Sequence, residues 1–163
     1  MDGFQVRQSE VHGMAQRGGA VLSHLRISDE TIPGDLVPKG GADMILSMEP
    51  LETLRYTDYL KTEGTAVSSK NPVINIPNYP DLDAIVAQVS DLPGAVVMDD
   101  KALAKEAENM RGMNMVMVGA ASHQLPIKAT TLEKAIQDLF GSKGASIVES
   151  NKKAFSLGAA AAE

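Results

Sequence analysis

The chain has 163 residues, 44% of them hydrophobic, and its 15 basic and 21 acidic side chains give a formal net charge of −6. This composition suits one globular domain with its own core, and because neither sign of charge forms a long run, we expect no nucleic acid partner. The first residues lack the features of a signal peptide and no apolar stretch is long enough to span a bilayer, so we expect a cytoplasmic protein that does not enter a membrane.

Short apolar runs alternate with amphipathic stretches along the chain, which is typical of an α/β fold with a mostly parallel sheet. The predicted strands, in chain order, cover residues 5–9, 20–28, 43–48, 64–68 and 95–98. The predicted helices cover residues 50–60, a stretch from Asp81 to about Val89, residues 100–110, a stretch from Thr130 to Gly141, and a last stretch that begins at Ser146. Residues 10–19 are predicted as a glycine-containing loop or short helical turn.

Three local patterns refine these elements. Residues 43–48 are nearly continuous in apolar side chains, which predicts a strand buried on both faces. Residues 71–80 contain three prolines and are predicted as an edge segment or a loop. Thr130 with Glu133, and Ser146 with Glu149, have the spacing of capping boxes, which predicts two helix starts.

The ends of the predicted strands carry the candidate site. Ligands of parallel sheets collect where the strands end, and Glu10, His12, Glu49, Asp99 and Asp100 all follow predicted strands. These side chains would then share one edge of the sheet. The alternative is that the later three are helix-start residues, favoured by the helix dipole.

Arg17, Gly18 and Gly19 form the second candidate. Backbone N–H groups in a concave arrangement and a guanidinium suit a carboxylate or a phosphate group. The alternative is a turn that needs a positive φ before a strand, and the two readings are compatible. One such motif in an acidic chain gives little support to RNA binding.

The three histidines are far apart in the sequence. His12 could donate a proton or a hydrogen bond to a ligand, or only stabilise its loop, whereas His24 is expected on a partly solvated strand face and His123 in a loop. With no cysteine in the chain, we expect no zinc site, no disulfide and no thiolate-bound iron–sulfur cluster. The methionines between residues 110 and 117 are expected to fill a core or a subunit interface rather than to bind copper.

Signatures of several enzyme classes are missing from the sequence. There is no phosphate-binding Gly-x-x-x-x-Gly-Lys-Ser/Thr loop, no Gly-x-Ser-x-Gly elbow and no His-Glu-x-x-His pair. No complete set of nucleophile and base follows from spacing, so no catalytic residue is assigned.

The run from Glu10 to Gly19 resembles the beta-subunit family of indolepyruvate ferredoxin oxidoreductases, within the gamma-type domains of 2-oxoacid:ferredoxin oxidoreductases. The resemblance continues through residues 32–38, 41–52 and 114–121, so it covers essentially the whole chain. It implies a single gamma-type domain over residues 1–163 with a three-layer α/β/α Rossmann-like architecture.

The resemblance also implies a function. The complete enzyme of this family converts an aryl 2-oxoacid such as indolepyruvate, with coenzyme A and oxidised ferredoxin, to the acyl-CoA, carbon dioxide and reduced ferredoxin. Thiamine diphosphate and the iron–sulfur clusters belong to a large alpha subunit, so this chain alone is expected to bind no cofactor and to be inert. The residues expected to face the partner's cofactor or coenzyme A are Glu10, His12, Gln16, Arg17, Gly18 and Gly19.

The chain departs from the family pattern at its start. Members usually open with a strand and a Gly-Gly-Gln-Gly turn, whereas this sequence begins near the second strand, which predicts an N-terminally shortened domain with an unpaired sheet edge. Two other functions stay open: a stand-alone module that binds a nucleotide or coenzyme A at residues 17–19, and a purely structural subunit.

Overall fold

The computed structural model describes residues 2–10 and 21–163. Its strands are β1 (Gln5–Glu10), β2 (Ser23–Ser28), β3 (Ala42–Ser47), β4 (Leu60–Ser69) and β5 (Val96–Met98). Its helices are α1 (Pro50–Arg55), α2 (Leu82–Ser90), α3 (Asp100–Glu106), α4 (Met113–Ala121), α5 (Ala129–Phe140) and α6 (Ala145–Ala160). Among the described residues, no helix is both long and apolar enough to cross a membrane.

The strands form two separate sheets. β3, β4 and β5 make a parallel sheet in that order, in which Ser47 lies opposite Ser68 and Ser69 lies opposite Met98. β1 and β2 form an antiparallel pair that runs from Gln5 opposite Ser28 to Glu10 opposite Ser23.

Helices cover both faces of the parallel sheet. Successive side chains of a strand point to opposite faces, and in β4 Val67 packs in a core cluster with Met117 of α4, while Ser68 hydrogen-bonds Thr53 of α1. α1 therefore lies on one face and α4 on the other. The α/β fold with three layers is confirmed.

The first two predicted strands do not belong to this sheet. We expected β1 to be one of the parallel strands, and that expectation is wrong because β1 pairs antiparallel with β2 and with no other described strand. Both strands mix apolar and charged side chains, and all of β1 except Ser9 is exposed. This is the pattern of an antiparallel pair with a solvated face, whereas a parallel pair needs a long crossover between its strands.

The strand at residues 42–47 is less buried than its composition predicts. β3 is an edge strand, and Leu46 keeps 41% of its surface exposed. The expectation of burial on both faces is therefore wrong, because only β4 pairs with β3 in the described part of the chain.

Both predicted capping boxes are wrong. α5 begins at Ala129, one residue before Thr130, and Asp2 supplies acceptors at its start, taking a hydrogen bond from the Lys128 N–H at 3.0 Å. α6 begins at Ala145, after Gly144, with no side-chain cap. The same Ser/Thr-x-x-Glu spacing also occurs inside a helix that has already begun. The pattern alone therefore did not show whether each helix starts at the Ser or Thr or before it.

Two helices are shorter than predicted, and one was not predicted. α1 ends at Arg55 because the chain must become extended by Leu60, and α3 ends at Glu106, shortly before Glu108 takes a positive φ of 55°. α4 is apolar apart from Asn114, so it lacks the periodicity that marks a half-buried helix. Its Met117 is fully buried, as expected of a methionine that fills a core, whereas Met110 is 53% exposed.

α4 and α6 touch backbone to backbone through two glycines. A Cβ added at Gly119 would lie 2.0 Å from the Phe155 carbonyl oxygen, and one added at Gly158 would lie 1.9 Å from the Val116 carbonyl oxygen. Both distances are far below van der Waals contact, so any side chain at these positions would force the two helices apart.

We expect Gly119→Ala and Gly158→Ala each to lower the free energy of unfolding by about 3 kcal/mol, because the added methyl group overpacks a closed contact. Urea unfolding would measure the loss. Gly141→Ala is the matched control, since the nearest atom to a Cβ there is 3.8 Å away, and it should change stability by less than about 0.5 kcal/mol. Equal effects of all three changes would contradict this prediction.

Candidate functional site

The carboxyl ends of β3, β4 and β5 gather a polar cluster at one edge of the parallel sheet. Glu49 follows β3, Asn71 follows β4, and Asp99 with Asp100 follow β5. Loops at this edge of a parallel sheet are where ligands and partners usually bind. We therefore take this edge as the candidate functional site among the described residues.

Glu49 is the anchor of the β3 side. Its carboxylate caps α1 by accepting a hydrogen bond from the Glu52 N–H at 2.8 Å, and it also accepts one from the Tyr79 hydroxyl. Glu49 is only 8% exposed. Burial, and then the Glu49 carboxylate, raise the pKa of Tyr79 well above its usual range, so the phenol stays protonated and keeps donating.

Hydroxyl groups link this anchor to β4. The Ser47 hydroxyl donates to the Glu49 carbonyl oxygen at 2.7 Å, and the Thr53 hydroxyl lies 2.7 Å from that of Ser68. Thr53 and Ser68 have no exposed surface. Each buried hydroxyl thus has a partner, as buried polar groups require.

Asp100 is the buried acceptor of the β5 side. It is 2% exposed, and its Oδ1 accepts hydrogen bonds from the Ser69 hydroxyl at 2.6 Å and from the Asn71 side-chain amide at 2.7 Å. The Asn71 backbone N–H donates to Ser69 Oγ at 2.9 Å. The start of the segment after β4 is therefore tied to α3.

Asp99 caps α3 and is held ionised. Hydrogen bonds from the Asn71 amide, from Lys70 and from the Ala102 N–H lower its pKa from the ordinary 3.8 to about 2. The Asn71 contact is 3.0 Å, and the Lys70 ammonium lies 2.9 Å from the other carboxylate oxygen. This charge therefore stabilises the helix start and the loop beside it.

The chemistry of this edge is structural. Its carboxylates accept hydrogen bonds from helix starts and from neighbouring side chains, and its hydroxyls donate to them. Within residues 2–10 and 21–163, no group of three or more His, Cys, Asp or Glu side chains could hold a metal ion. The hydrogen bonds at this edge hold the loops that leave the sheet in place.

The sequence-predicted site residues fare differently. Glu10 ends β1 opposite Ser23 and is exposed, so the expectation that it leaves a strand of the parallel sheet is wrong. His12, Gln16, Arg17, Gly18 and Gly19 lie outside the described residues, and their role stays a prediction.

For the later acidic residues, the helix-start interpretation is confirmed for Glu49 and Asp99. The same interpretation holds for Asp100, which lies in the first turn of α3 and is also a buried hydrogen-bond acceptor. Sequence reasoning missed Asn71 and Tyr79. The available signal was the pair of polar residues, Ser68 and Ser69, that ends β4 two positions before Asn71.

The histidines away from this edge have structural partners. His24 is 8% exposed, so its expected solvated face is wrong. Its Nδ1 accepts the Val37 N–H at 3.2 Å, and its ring meets Tyr59 edge-on at 5.8 Å. His123 lies in a short 3-10 helix, Ser122–Gln124, rather than in the predicted loop, and its Nε2 is 3.0 Å from the Ala159 carbonyl oxygen.

A separate open groove of about 810 Å³ lies among the helices. Arg111, Lys143 and Lys153 line it together with Glu108 and Glu149, so its charges are mixed. Lys143 also lies 5.2 Å from the centre of the Phe140 ring, a cation–π contact. This mixture gives no preference for one class of ligand.

Comparison with known proteins gives concordant matches. A family model described as pyruvate ferredoxin/flavodoxin oxidoreductase matches residues 1–161. Indolepyruvate oxidoreductase subunit IorB of Thermococcus kodakarensis is 36% identical over 171 residues, covering 99% of this chain and 83% of that protein. The IorB subunit of Archaeoglobus fulgidus is 33% identical, with 96% of this chain and 80% of that protein covered.

A solved structure shares the fold. It is a 2-oxoglutarate:ferredoxin oxidoreductase from Magnetococcus marinus, with 2-oxoglutarate, coenzyme A and succinyl-CoA bound. The TM-score is 0.75 at 25% sequence identity, and the match covers 99% of this chain. This chain spans only 26% of that larger chain.

The lowered pKa of Asp99 predicts an acid-sensitive contribution to stability. Because the folded-state pKa lies below the unfolded value, the contribution is present above about pH 4 and is lost as the pH falls towards 2. We expect about 1 kcal/mol, since 36% of this side chain is exposed and solvent screens its charge.

Urea unfolding of the wild type and of Asp99→Asn at pH 6 and pH 2 would measure this contribution. The stability difference between the two proteins should shrink by about 1 kcal/mol at the lower pH. Asp138→Asn, at an exposed residue of α5, is the control, because it removes a carboxylate that lies outside this edge. A difference that stays constant with pH would contradict the assignment.

Proposed function

The chain belongs to the pyruvate ferredoxin/flavodoxin oxidoreductase family, and from that membership we propose that it is the smaller subunit of an indolepyruvate oxidoreductase. The complex oxidatively decarboxylates indolepyruvate and other aryl pyruvates, forms the acyl-CoA and passes the electrons to ferredoxin. The observation that carries this proposal is the match to IorB subunits along nearly the whole chain and most of each relative.

A large alpha subunit holds thiamine diphosphate and the iron–sulfur clusters. Support comes from the chemistry of this chain, which has no cysteine among its 163 residues and therefore no thiolate ligand for a cluster. The buried acidic groups at the sheet edge also support it, because they serve as helix caps and hydrogen-bond acceptors. This subunit is non-catalytic alone and contributes shape and contacts to the assembled enzyme.

We infer that residues 10–19, which the sequence predicts as a loop, face the partner's cofactor or coenzyme A. The exposed start of this loop, Glu10, ends β1, and Arg17 with Gly18 and Gly19 offers a guanidinium and backbone N–H groups. These groups suit the phosphates of coenzyme A or a carboxylate on the partner subunit. His12 and Gln16 add further hydrogen-bonding groups to the same loop.

Co-expression with a thiamine-dependent alpha subunit of the same organism tests the proposal. We expect a stable complex in which indolepyruvate and coenzyme A together drive the reduction of ferredoxin, while each subunit alone is inactive. Tight calorimetric binding of coenzyme A to this chain without a complex would favour a stand-alone module instead. If co-expression yields no complex and no activity, the oxidoreductase role is refuted.

The loop assignment has its own test in the assembled enzyme. His12→Ala and Arg17→Ala should each lower kcat/KM for coenzyme A about tenfold, because a charge-assisted hydrogen bond contributes roughly 1.5–3 kcal/mol. His123→Ala and Arg111→Ala, at exposed residues elsewhere on the chain, are matched controls and should leave it unchanged. If both variants form the complex and keep wild-type kinetics, residues 10–19 do not contact the cofactor or coenzyme A as proposed.

A further inference from the structure

Residues 71–80, here called the strap, form an uncharged segment at the candidate edge. The strap has no acidic or basic side chain, and it holds three of the eight prolines of the chain. We propose that the strap is the surface on which the catalytic alpha subunit docks. This inference rests on the proposed function and names the contact surface that the function requires.

Both ends of the strap are fixed by the polar edge. At its start, Asn71 donates to Asp99 at 3.0 Å and to Asp100 at 2.7 Å. Near its end, the Tyr79 hydroxyl donates to the buried Glu49. Hydrogen bonds to carboxylates are the stronger kind, so the edge holds a defined loop geometry.

The middle of the strap turns apolar side chains outward. Val73 is 58% exposed, Ile74 is 68% exposed and Ile76 is 36% exposed. Residues 73–78 are all exposed. Three large aliphatic side chains within four residues, with no charge beside them, have the composition of an interface core, where charged residues are depleted.

The apolar surface extends beyond the strap. Met48 is 41% exposed and immediately precedes Glu49, to which the end of the strap is bonded. The prolines restrict the backbone of the strap, so little conformational entropy remains to be lost when a partner covers it. The surface is therefore apolar and has a backbone that is already restricted before a partner binds.

The size relation points to the alpha subunit as the occupant. In the Magnetococcus marinus enzyme the matched region is 26% of a longer chain, so there the fold is covalently joined to further polypeptide. In the curated relatives the fold is a separate subunit. Permanent protein–protein interfaces are more apolar than transient ones. Although the chain has a net charge of −6, the strap is uncharged, so it suits an apolar patch on the alpha subunit rather than a basic one.

A matched pair of substitutions tests the docking surface. Ile74→Asp changes the strap, and Leu139→Asp changes a side chain of α5 that is almost as exposed, at 65%. Because both sites are exposed, the melting temperature of each isolated variant should stay within about 2 °C of the wild type. The affinity of each variant for the purified alpha subunit is then measured by titration.

We expect Ile74→Asp to weaken the complex at least tenfold and Leu139→Asp to leave its affinity unchanged, because only the first places a charge in a buried apolar contact. Wild-type affinity of Ile74→Asp would overturn the docking surface while leaving the proposed function intact. If the wild-type chain forms a dimer that Ile74→Asp dissociates while its affinity for the alpha subunit stays unchanged, the strap is a contact between two copies of the chain and the docking proposal is overturned. A wild-type chain that binds no alpha subunit would overturn both.

A second pair of variants tests the anchoring of the strap. Tyr79→Phe removes the hydroxyl that bonds Glu49 and leaves the three aliphatic side chains in place. It should weaken the complex several-fold and speed amide exchange in residues 71–80. Tyr56→Phe, next to the 3-10 turn of residues 57–59, is the control and should change neither. Unchanged affinity and exchange in Tyr79→Phe would count against a preorganised docking surface.

Discussion

The contact between α4 and α6 is the constraint on which the rest of the fold depends. Gly119 and Gly158 let the two helices approach until backbone meets backbone, a distance that no side chain permits. α4 is thereby held between α6 and the parallel sheet, and its Met117 and Val116 fill a core cluster on each side. The closely packed pair of α4 and α6 supports one face of the sheet, and the loops at the carboxyl edge of the sheet leave from strands that are held in place.

The acidic residues at this edge serve the architecture, and this agrees with an enzyme whose chemistry is divided between subunits. Glu49 and Asp99 cap helices and also hold the two ends of the strap. The hydrogen bonds that lower the pKa of Asp99 keep that carboxylate ionised and make it a poor general acid near neutral pH. Under the proposed function, the contribution of this chain to catalysis lies in the surfaces that it presents to a partner.

Periodic patterns predicted the elements that behave locally. The spacing of Leu82, Ile85 and Val89 gave α2, and the short apolar run before Asp99 gave β5. Patterns failed where the outcome depends on distant partners. Whether β1 pairs in parallel is decided by where β2 lies, and α4 has no polar face because the sheet and α6 bury it from both sides. The candidate site depends on pairs such as Tyr79 with Glu49, 30 residues apart, whose encounter no local motif encodes.

The edge position of β3 has a consequence for handling the chain by itself. Its backbone offers hydrogen-bonding groups to any extended strand that approaches, and Leu46 lies exposed beside them. Edge strands usually carry charges that discourage such pairing, and β3 carries one, Asp43, near its start. If the chain works as one of two subunits, as proposed, an excess of unassembled copies would favour pairing of this edge with other extended strands.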